Sequence, residues 1–265
     1  MTTVYSDLRG RSAAITGAAR GIGLEIAASM AQTGMNVLLI DVDEAALVGA
    51  RSEVTQRHPD ARIETAVASV SDHSAVTRTL ADFASAVGSL DVLVNNAGVA
   101  ANAPSLDLGL EAWHRALEVN LTGTFVCSQV AGGIMAHQGH GVIINVASMY
   151  GLVAAPERAA YCASKAGVAS LTKVLAVEWA HRGIRVNAIG PGYVETDLIA
   201  QLVAQDRLDL TALRRRTPSG RLGRPEDMAN LVLFLSSGVS QNITGQVIAS
   251  DGGWTADGYG IVPAG

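Results

Sequence analysis

The segment from Ser148 to Lys165 contains three side chains that could carry out proton chemistry together. They are the hydroxyl of Ser148, the phenol of Tyr161 and the ammonium of Lys165. Tyr161 and Lys165 are four residues apart, so on a helix they share a face and the ammonium can lie near the phenol. Because a free tyrosine has a pKa of about 10, it is a poor base at neutral pH. A nearby cation favours the phenolate, so we expect Lys165 to lower the pKa of Tyr161.

The energy that this activation requires is within reach of one cation. Lowering the pKa of Tyr161 by roughly two or three units takes about 3–4 kcal/mol, and a charge a few ångströms away, partly shielded from water, can supply that order of energy. Ser148 would then hold the oxygen of the reacting carbon. The alternative interpretation is an ordinary helix start with a half-buried tyrosine and a solvated lysine.

A strand and a helix must position these groups. The short apolar run Val142–Val146 indicates a buried strand, and Ser148 follows its end. The segment Ala159–Ala180 has helical composition and carries Tyr161 and Lys165 in its first turns. A strand end and a helix start can converge on one cleft.

A second pattern, near the N-terminus, is typical of dinucleotide binding. The apolar run Ser12–Thr16 stops at the glycine-rich turn 17–23, and a helical segment, Leu24–Gln32, follows. A second apolar run, Val37–Ile40, ends at Asp41. Strand, glycine-rich turn, helix, strand and acid together form a βαβ unit. Its glycines would let the backbone approach a pyrophosphate that faces the helix N-terminus.

Strand-like and helix-like segments alternate along the rest of the chain. Further strands are predicted at Arg62–Ala68, Leu90–Val94, Ile184–Ile189 and Gln246–Ala249, and helices at Asp43–Arg57, Ser71–Val87, Leu106–His137 and Pro225–Ser236. The mixed segment Val194–Arg224 receives no assignment. The alternation predicts a single α/β domain, residues 1–265, with a parallel sheet covered by helices on both faces.

Composition limits the partners that we expect. The chain has 265 residues and a formal net charge of −5, which gives no support for nucleic-acid binding. No apolar run approaches the ~18 residues of a membrane span, and Met1–Gly10 does not resemble a signal peptide. Cys127 and Cys162 form no disulfide framework, which fits a cytoplasmic protein. His137 and His140 have no third ligand nearby in the sequence, so we expect no metal site.

Four motifs, in this order, resemble the short-chain dehydrogenase/reductase family in its single-domain form. They are Thr16-Gly17-x3-Gly21-x-Gly23, Asn95-Asn96-Ala97-Gly98, Ser148 with Tyr161-x3-Lys165, and Pro191-Gly192. Asn120 stands where the family has a fourth catalytic residue. The resemblance extends from about Leu8 to Trp254.

The resemblance implies a doubly wound, seven-stranded parallel sheet, the Rossmann fold, and NAD(P)-dependent interconversion of an alcohol and a carbonyl. Tyr161 would be the general acid/base, and Lys165 would lower its pKa and hold the nicotinamide ribose. Ser148 would position the reacting oxygen. Asn120 would fix a water in a proton relay, a role compatible with a place at a helix kink or cap.

The same resemblance gives a set of candidate cofactor-binding residues. They are Gly17, Arg20, Gly21, Ile22, Gly23, Asp41, Ser69, Val70, Asn96, Ala97, Gly98, Tyr161, Lys165, Pro191, Gly192, Val194 and Thr196. The family usually has an aspartate after the third strand to hold the adenine amino group. Here the corresponding residues are Ser69-Val70, and a serine can still accept a hydrogen bond.

We expect NAD rather than NADP. Asp41 ends the second strand, where an acid can hydrogen-bond the ribose hydroxyls and would repel a 2′-phosphate. Arg20 is the opposing signal, since a basic residue in this turn can help to bind a phosphate.

The expected substrate is a small secondary alcohol, with a polyol or sugar ahead of a hydrophobic ketone. The segment Gly192–Asp197 resembles that of family members acting on polyols and sugars, and residues 194–221 should form a mobile lid. The candidate substrate residues are Ser148, Tyr150, Glu157, Tyr161 and Tyr193, and the wall between Ser148 and Tyr161 also includes Met149, Leu152, Val153, Pro156 and Arg158. Glu157 could accept hydrogen bonds from several hydroxyls, or be a solvated loop acid.

Two other functions remain open at this point. One is a 3-oxoacyl-carrier-protein reductase using NADPH. The other is a non-catalytic cofactor-binding regulator, because fold alone does not fix function. A regulator would have no need of Asn120, Ser148, Tyr161 and Lys165 together.

The resemblance also implies a homotetramer. The apolar, small-residue segments Leu106–Met135 and Ala159–Ala180 and the last strand are the candidate contact surfaces. The tail Thr255–Gly265, with Tyr259, Ile261 and Val262, either packs on a neighbouring subunit or frays.

Overall fold

The computed structural model of the chain describes residues 5–206 and 208–258. Seven parallel strands form one sheet in the order β3-β2-β1-β4-β5-β6-β7. The strands are β1 (Ser12–Thr16), β2 (Asn36–Asp41), β3 (Ile63–Val67), β4 (Val92–Asn95), β5 (Gly141–Val146), β6 (Ile184–Pro191) and β7 (Val247–Ser250). The chain winds outward from β1 to β3 and then returns to β4, so the strand order reverses between β1 and β4. A crevice at the carboxyl ends of the strands is expected at such a reversal.

Helices cover both faces of the sheet. They are α1 (Gly21–Gln32), α2 (Glu44–Arg57), α3 (His73–Val87), α4 (Leu110–Leu117), α5 (Gly123–Gln138), α6 (Ala159–Trp179), α7 (Asp197–Ala204), α8 (Leu210–Arg216) and α9 (Pro225–Ser236). Single 3₁₀ turns lie at Ser6–Leu8, Met149–Gly151, Ala180–Arg182 and Gly238–Ser240. No helix in the described part of the chain is both long and apolar enough to cross a bilayer.

The core consists of two apolar layers, one on each face of the sheet. One layer joins the sheet to α1, α2 and α9, with Ile26 and Val232 among its fully buried members. The other joins it to α3, α5 and α6, with Leu80 and Met135 fully buried. Every residue of β1, β4 and β5 is buried, which explains why these strands are near-continuous apolar runs in the sequence.

The predicted doubly wound parallel sheet is confirmed, and the seven predicted strands are all present. The predicted helical region Leu106–His137 is present, but it starts only at Leu110, and a π-helical turn, Glu118–Thr122, lies between α4 and α5. The segment Val194–Arg224, which received no assignment, contains α7 and α8.

Asn120 lies in the middle of this π-helical turn. Its side chain hydrogen-bonds the backbone of Val99 instead of solvent, and its carbonyl accepts a bond from the Thr124 hydroxyl at 2.8 Å. Such π turns accommodate one extra residue and are frequent at functional sites.

Candidate active site

The carboxyl ends of β1, β4, β5 and β6 bring the predicted motifs to one edge of the sheet. Gly17 follows β1, Asn96 follows β4, Ser148 lies just beyond β5, and Gly192 follows β6. Although they are far apart in sequence, these positions border one cleft because neighbouring parallel strands end side by side.

Ser148, Tyr161 and Lys165 converge in this cleft. The Ser148 hydroxyl accepts a hydrogen bond from the Tyr150 amide at 3.1 Å, which caps the 3₁₀ turn after β5. The same hydroxyl faces the Tyr161 phenol closely enough to act on its pKa, which it lowers. Lys165 lies one turn further along α6, with Nζ 5.8 Å from the centroid of the Tyr161 ring. The strand end and helix start therefore bring together the three groups that the sequence selected.

The expected lowering of the pKa of Tyr161 by Lys165 is wrong. Burial raises the pKa of Tyr161, and the influences that act to lower it are the Ser148 hydroxyl and the charge of Arg158. Lys165 is itself buried, which lowers its pKa to about 8. Its Nζ donates to the Val146 carbonyl at 2.6 Å. The sequence argument counted the attraction of the cation but not the cost of desolvating both groups.

Asn120 connects the loop after β4 to the helix that carries Tyr161. Its Oδ1 accepts from the Val99 amide at 2.8 Å, and its Nδ2 donates to the Val99 carbonyl and the Ser164 hydroxyl, each at 3.0 Å. Ser164 in turn donates to the Tyr161 carbonyl at 2.8 Å. Both amide protons of Asn120 are thus used in hydrogen bonds to the protein, and these bonds link the loop after β4 to α6. A water would have to be bound through its oxygen atoms.

The glycine-rich turn is packed so closely against the end of β4 that there is no space for a Cβ atom at Gly17 or Gly23. Gly17 has a φ of +62°, and a Cβ there would lie 2.8 Å from the Ala97 Cα. A Cβ on Gly23 would lie 2.3 Å from the Gly17 carbonyl oxygen. Asn96 Nδ2 donates to the carbonyls of Thr16 and Gly17 at 3.0 and 2.8 Å. Glycine is therefore required at 17 and 23 by close approach of backbone to backbone.

The first turn of α1 offers free amides to an anion. The helix begins at Gly21, three residues earlier than the sequence pattern suggested, and no side chain caps its N-terminus. Ile22 points partly into the core layer beside α1. A Cβ on Gly21 would lie 3.5 Å from Cγ2 of Thr196, so the start of the predicted lid lies over this turn. Uncapped first-turn amides together with the helix dipole form an anion-binding site.

Asp41 ends β2 beside the same turn. Its carboxylate accepts hydrogen bonds from the backbone amides of Ala19, at 3.2 Å, and of Val42, at 2.8 Å. Arg20, the residue that opposed the NAD prediction, forms an ion pair with Asp43. The positive charge of Arg20 therefore already has a partner.

The remaining predicted cofactor residues border the cleft at its ends. The Ala97 amide donates to the Thr16 hydroxyl at 3.1 Å, and a Cβ on Gly98 would lie 3.5 Å from Lys165 Nζ. Pro191 ends β6, and Val194 is buried where it pairs with Gly223.

Ser69 and Val70, the residues predicted to contact the adenine, both contact other parts of the protein. The Ser69 hydroxyl lies 3.1 Å from the Ser71 hydroxyl. Val70 is buried against Gly123, where a Cβ would lie 2.5 Å from Val70 Cγ2.

Aromatic side chains form the wall of the cleft beyond Ser148. The hydroxyls of Tyr150 and Tyr193 are 3.1 Å apart, with their rings edge to face. Tyr193 in turn packs against Trp254, with ring centroids 5.6 Å apart. The Arg158 guanidinium lies 5.3 Å from the Tyr150 ring centroid. Trp254 was absent from the sequence-based site, although its place just after β7, at the carboxyl edge of the sheet, was a usable signal.

Glu157 lies in the loop before α6, and the predicted lid follows β6. Glu157 is exposed and has a φ of +61°, and its carbonyl accepts from the Ala103 amide at 3.0 Å. In the lid, Arg214 pairs with Glu195, while Arg216 lies over the Trp254 ring and pairs with Asp257. The part of the tail that contains Tyr259, Ile261 and Val262 lies outside the described residues.

The two histidines considered for a metal have other partners. His140 Nε2 lies 3.1 Å from an Asp91 carboxylate oxygen, and His137 Nδ1 lies 2.8 Å from the Gly133 carbonyl. Within residues 5–206 and 208–258, no three potential ligands of the His, Cys, Asp or Glu type form a cluster.

Comparison with known proteins gives the family. A family model described as enoyl-(acyl carrier protein) reductase matches residues 17–255. A cis-4-hydroxycyclohexanecarboxylate dehydrogenase of Sinomonas cyclohexanicum is 42% identical over 93% of this chain and 97% of its own. A galactitol 2-dehydrogenase (L-tagatose-forming) of Cereibacter sphaeroides is also 42% identical, over 94% of this chain and 96% of its own. A 3-oxoacyl-[acyl-carrier-protein] reductase of Thermotoga maritima is 39% identical over 93% and 98%.

Solved structures agree with this assignment. A short-chain type dehydrogenase/reductase of Mycobacterium marinum has a TM-score of 0.88 at 36% identity, covering 96% of this chain and 98% of its own. A gluconate 5-dehydrogenase of Burkholderia cenocepacia, in complex with NADP and tartrate, has a TM-score of 0.87 at 36% identity, covering 94% and 96%.

The protein belongs to the short-chain dehydrogenase/reductase family. It is an NAD(P)-dependent oxidoreductase that acts on CH–OH groups.

Proposed function

We propose that this protein interconverts a small secondary alcohol and its ketone, with Tyr161 as the general acid/base. The observation that carries the proposal is the convergence of Ser148, Tyr161 and Lys165 beside the glycine-rich turn. NAD(P), when bound, accepts the hydride in oxidation or supplies it in reduction.

The described residues fit a dinucleotide in two respects. The close packing of Gly17 and Gly23 holds the glycine-rich turn against the end of β4, and the first turn of α1 has no side-chain cap, so its amides can bind a pyrophosphate. Asp41, at the end of β2, is placed to hydrogen-bond a ribose. Lys165, on α6, would hold the second ribose.

The chemistry of the residues follows from their positions. In oxidation, the Tyr161 phenolate takes the hydroxyl proton of the substrate while the carbon gives up its hydride, and a C=O bond forms. In reduction, the Tyr161 phenol returns that proton to the oxygen. Ser148 donates a hydrogen bond to the same oxygen and holds it in place. Asn120 keeps the Tyr161 helix in register with the loop after β4, and we propose that its oxygen atoms also hold a relay water.

We propose NAD as the preferred cofactor. A 2′-phosphate beside Asp41 would meet a like charge, and at about 5 Å with an effective dielectric of 20 each such charge pair costs roughly 3 kcal/mol. The ion pair between Arg20 and Asp43 further supports this preference, because it engages the cation that could otherwise bind the phosphate. The similar gluconate 5-dehydrogenase that binds NADP shows that relatives with this fold also accept the phosphorylated cofactor.

For the substrate we propose a small polar secondary alcohol, with a polyol or sugar favoured. Galactitol and hydroxycyclohexanecarboxylate dehydrogenases among the relatives support this class. The hydroxyls of Tyr150 and Tyr193 line the cleft beyond Ser148, and the exposed carboxylate of Glu157, in the loop before α6, is a candidate acceptor for substrate hydroxyls. Residues 194–221 would close over the substrate as a lid, with Thr196 near the nicotinamide.

We also propose a homotetramer located in the cytoplasm. The faces of α5 and α6 expose Phe125, Val174 and Val177, the last at 81%. Burial of these side chains between subunits would be favourable. Both cysteines are free thiols, as expected in a reducing compartment.

A spectrophotometric panel tests the proposal: polyols, sugars, cyclic alcohols and their ketones, and carrier-bound 3-oxoacyl chains, each with NAD(H) and NADP(H). Turnover of secondary alcohols with NAD supports it, and Glu157→Ala should raise KM for a polyol more than for a simple cyclic alcohol. Efficient reduction of 3-oxoacyl chains with NADPH and no turnover of any polyol would favour the second candidate, a 3-oxoacyl-carrier-protein reductase, which the Thermotoga maritima relative supports. Cofactor binding without turnover of any compound would indicate a regulator.

A further inference from the structure

Arg158 is a cation at the substrate wall of the cleft. It precedes the first residue of α6, three positions before Tyr161. Its guanidinium lies 5.3 Å from the Tyr150 ring centroid, a cation–π distance. The charge of Arg158 also acts to lower the pKa of both Tyr150 and Tyr161. Its electrostatic influence therefore extends to the phenol of the proposed acid/base.

Among the described residues, Arg158 differs from the other arginines around the cleft because it has no carboxylate partner. Around the same cleft, Arg20 pairs with Asp43, Arg214 with Glu195 and Arg216 with Asp257. In the part of the chain that the structure describes, no carboxylate oxygen lies within the 4.0 Å ion-pair distance of Arg158. Its hydrogen-bonding partner there is neutral, the Asn102 Oδ1 at 3.3 Å. The neighbouring acid, Glu157, is exposed and forms no ion pair with it.

We infer that Arg158 recognises a carboxylate on the substrate, so that within the proposed class of polyol-like and sugar-like secondary alcohols the site prefers those that carry a carboxylate. A guanidinium presents five N–H donors in a planar fork that matches a carboxylate, and the hydrogen bond of Arg158 within the described residues uses one donor, on Nη1. The phenol of Tyr161 and the guanidinium of Arg158 would bind the two ends of one molecule, with the Tyr150 ring between them as an apolar wall. This inference rests on the proposed function, because it assigns the substrate of the same site.

A structural role for Arg158 is the competing explanation. Its bond to Asn102, together with the bond from the Ala103 amide to the Glu157 carbonyl, holds the loop after β4 against the start of α6. A residue that acts only in this way would affect charged and neutral substrates equally. Substrate charge therefore separates the two roles.

The test uses pairs of alcohols that differ in charge: cis-4-hydroxycyclohexanecarboxylate and its methyl ester, 3-hydroxybutyrate and its methyl ester, and gluconate and glucitol. For the wild type, kcat/KM should favour the acid in at least one pair. Arg158→Gln should lower kcat/KM for that acid by about 10- to 100-fold, mainly through KM, as expected for loss of hydrogen bonds to a charged group. With each enzyme measured on the plateau of its own pH profile, the neutral member should change less than about threefold, and Arg158→Lys should restore part of the preference.

The matched control is Arg62→Gln, which removes a cation beside the amino end of β3, remote from the cleft, that already has an acidic partner in Glu64. It should leave the acid-to-neutral ratio unchanged. A second measurement needs no variant: cyclohexanecarboxylate should inhibit wild-type turnover of a neutral alcohol more strongly than cyclohexanecarboxamide does.

Three outcomes overturn the inference. They are a wild type that prefers the neutral member of every pair, an equal loss for both members in Arg158→Gln, and equal inhibition by the carboxylate and the carboxamide. Turnover of neutral alcohols in these cases would leave the proposed function intact, whereas no turnover of any alcohol would refute the proposed function itself.

Discussion

The Nζ of Lys165 lies 5.8 Å from the centroid of the Tyr161 ring and donates its hydrogen bond to the Val146 carbonyl, not to the phenol. Lys165 is thus placed beside the acid/base without being bonded to it. The pKa of Tyr161 is raised by burial, with the Ser148 hydroxyl and the charge of Arg158 acting in the opposite direction. The two directions of the reaction must therefore respond differently to pH.

Alcohol oxidation should increase with pH, because it needs the phenolate, and a raised pKa keeps Tyr161 protonated at neutral pH. Ketone reduction needs the phenol and should persist at neutral pH, then decline as pH rises through the pKa of Tyr161. Arg158→Gln should move the oxidation profile to higher pH, since a charge that lowers the pKa is removed. The measurement is kcat/KM against pH in both directions. An oxidation rate that is already at its plateau at pH 6 would contradict the raised pKa.

Cofactor choice should depend on the two acids beside Arg20. Asp41→Asn should improve the use of NADP, up to about a hundredfold, because it removes roughly 3 kcal/mol of repulsion from a 2′-phosphate. Asp43→Asn should also favour NADP, since it releases Arg20 from its ion pair. The ratio of kcat/KM for NAD and NADP measures both effects. Equal efficiency of the wild type with the two cofactors would show that Asp41 does not set the preference.

Gly23→Ala should abolish cofactor binding. A Cβ at this position would lie 2.3 Å from the Gly17 carbonyl oxygen and 2.5 Å from Asn96 Nδ2, so the turn would have to open. Gly49→Ala is the matched control, because a Cβ there meets nothing within 4 Å and lies in α2. The control should be neutral or stabilise the protein by up to about 1 kcal/mol. The Kd for NADH of both variants is measured by calorimetry, and their Tm shows whether they are folded. Unchanged affinity in Gly23→Ala would contradict the role of the turn.

The proposed tetramer should dissociate when charge is placed on α6. Val177→Glu puts a carboxylate on a side chain that is 81% exposed in the single chain and would be buried between subunits. Val48→Glu, on α2 at 68% exposure, is the control and should leave the assembly unchanged. Light scattering at micromolar concentration gives the mass. A monomeric wild type would refute the tetramer.

The sequence could predict the positions of the catalytic groups but not their environment. Tyr161 and Lys165 were accessible from helical periodicity, and Ser148 and Asp41 from the ends of apolar runs, because these rules are local. The raised pKa of Tyr161 depends on desolvation by residues remote in sequence. The same is true of the Arg20–Asp43 pair and of the Tyr193–Trp254 contact. A helix kink at Asn120 was compatible with the sequence, but the contacts of Asn120 with Val99 and Ser164 could not be predicted, because these residues are remote in sequence.

Lys165→Ala should lose both turnover and cofactor affinity, because Lys165 is assigned two roles: its bond to the Val146 carbonyl holds the start of α6, with Tyr161, against the end of β5, and it would hold the nicotinamide ribose. Turnover should fall together with a weaker Kd for NADH, measured by fluorescence. A variant that binds NADH like the wild type would remove the second role.

The most direct test of the central claim is Tyr161→Phe, which removes only the phenolic oxygen and its proton. Turnover of the best secondary alcohol should fall by at least about 100-fold, the usual contribution of a general acid/base. The Kd for NADH should stay within about threefold of the wild type, since the ring is retained. Activity within tenfold of the wild type would contradict the assignment of Tyr161 as the acid/base.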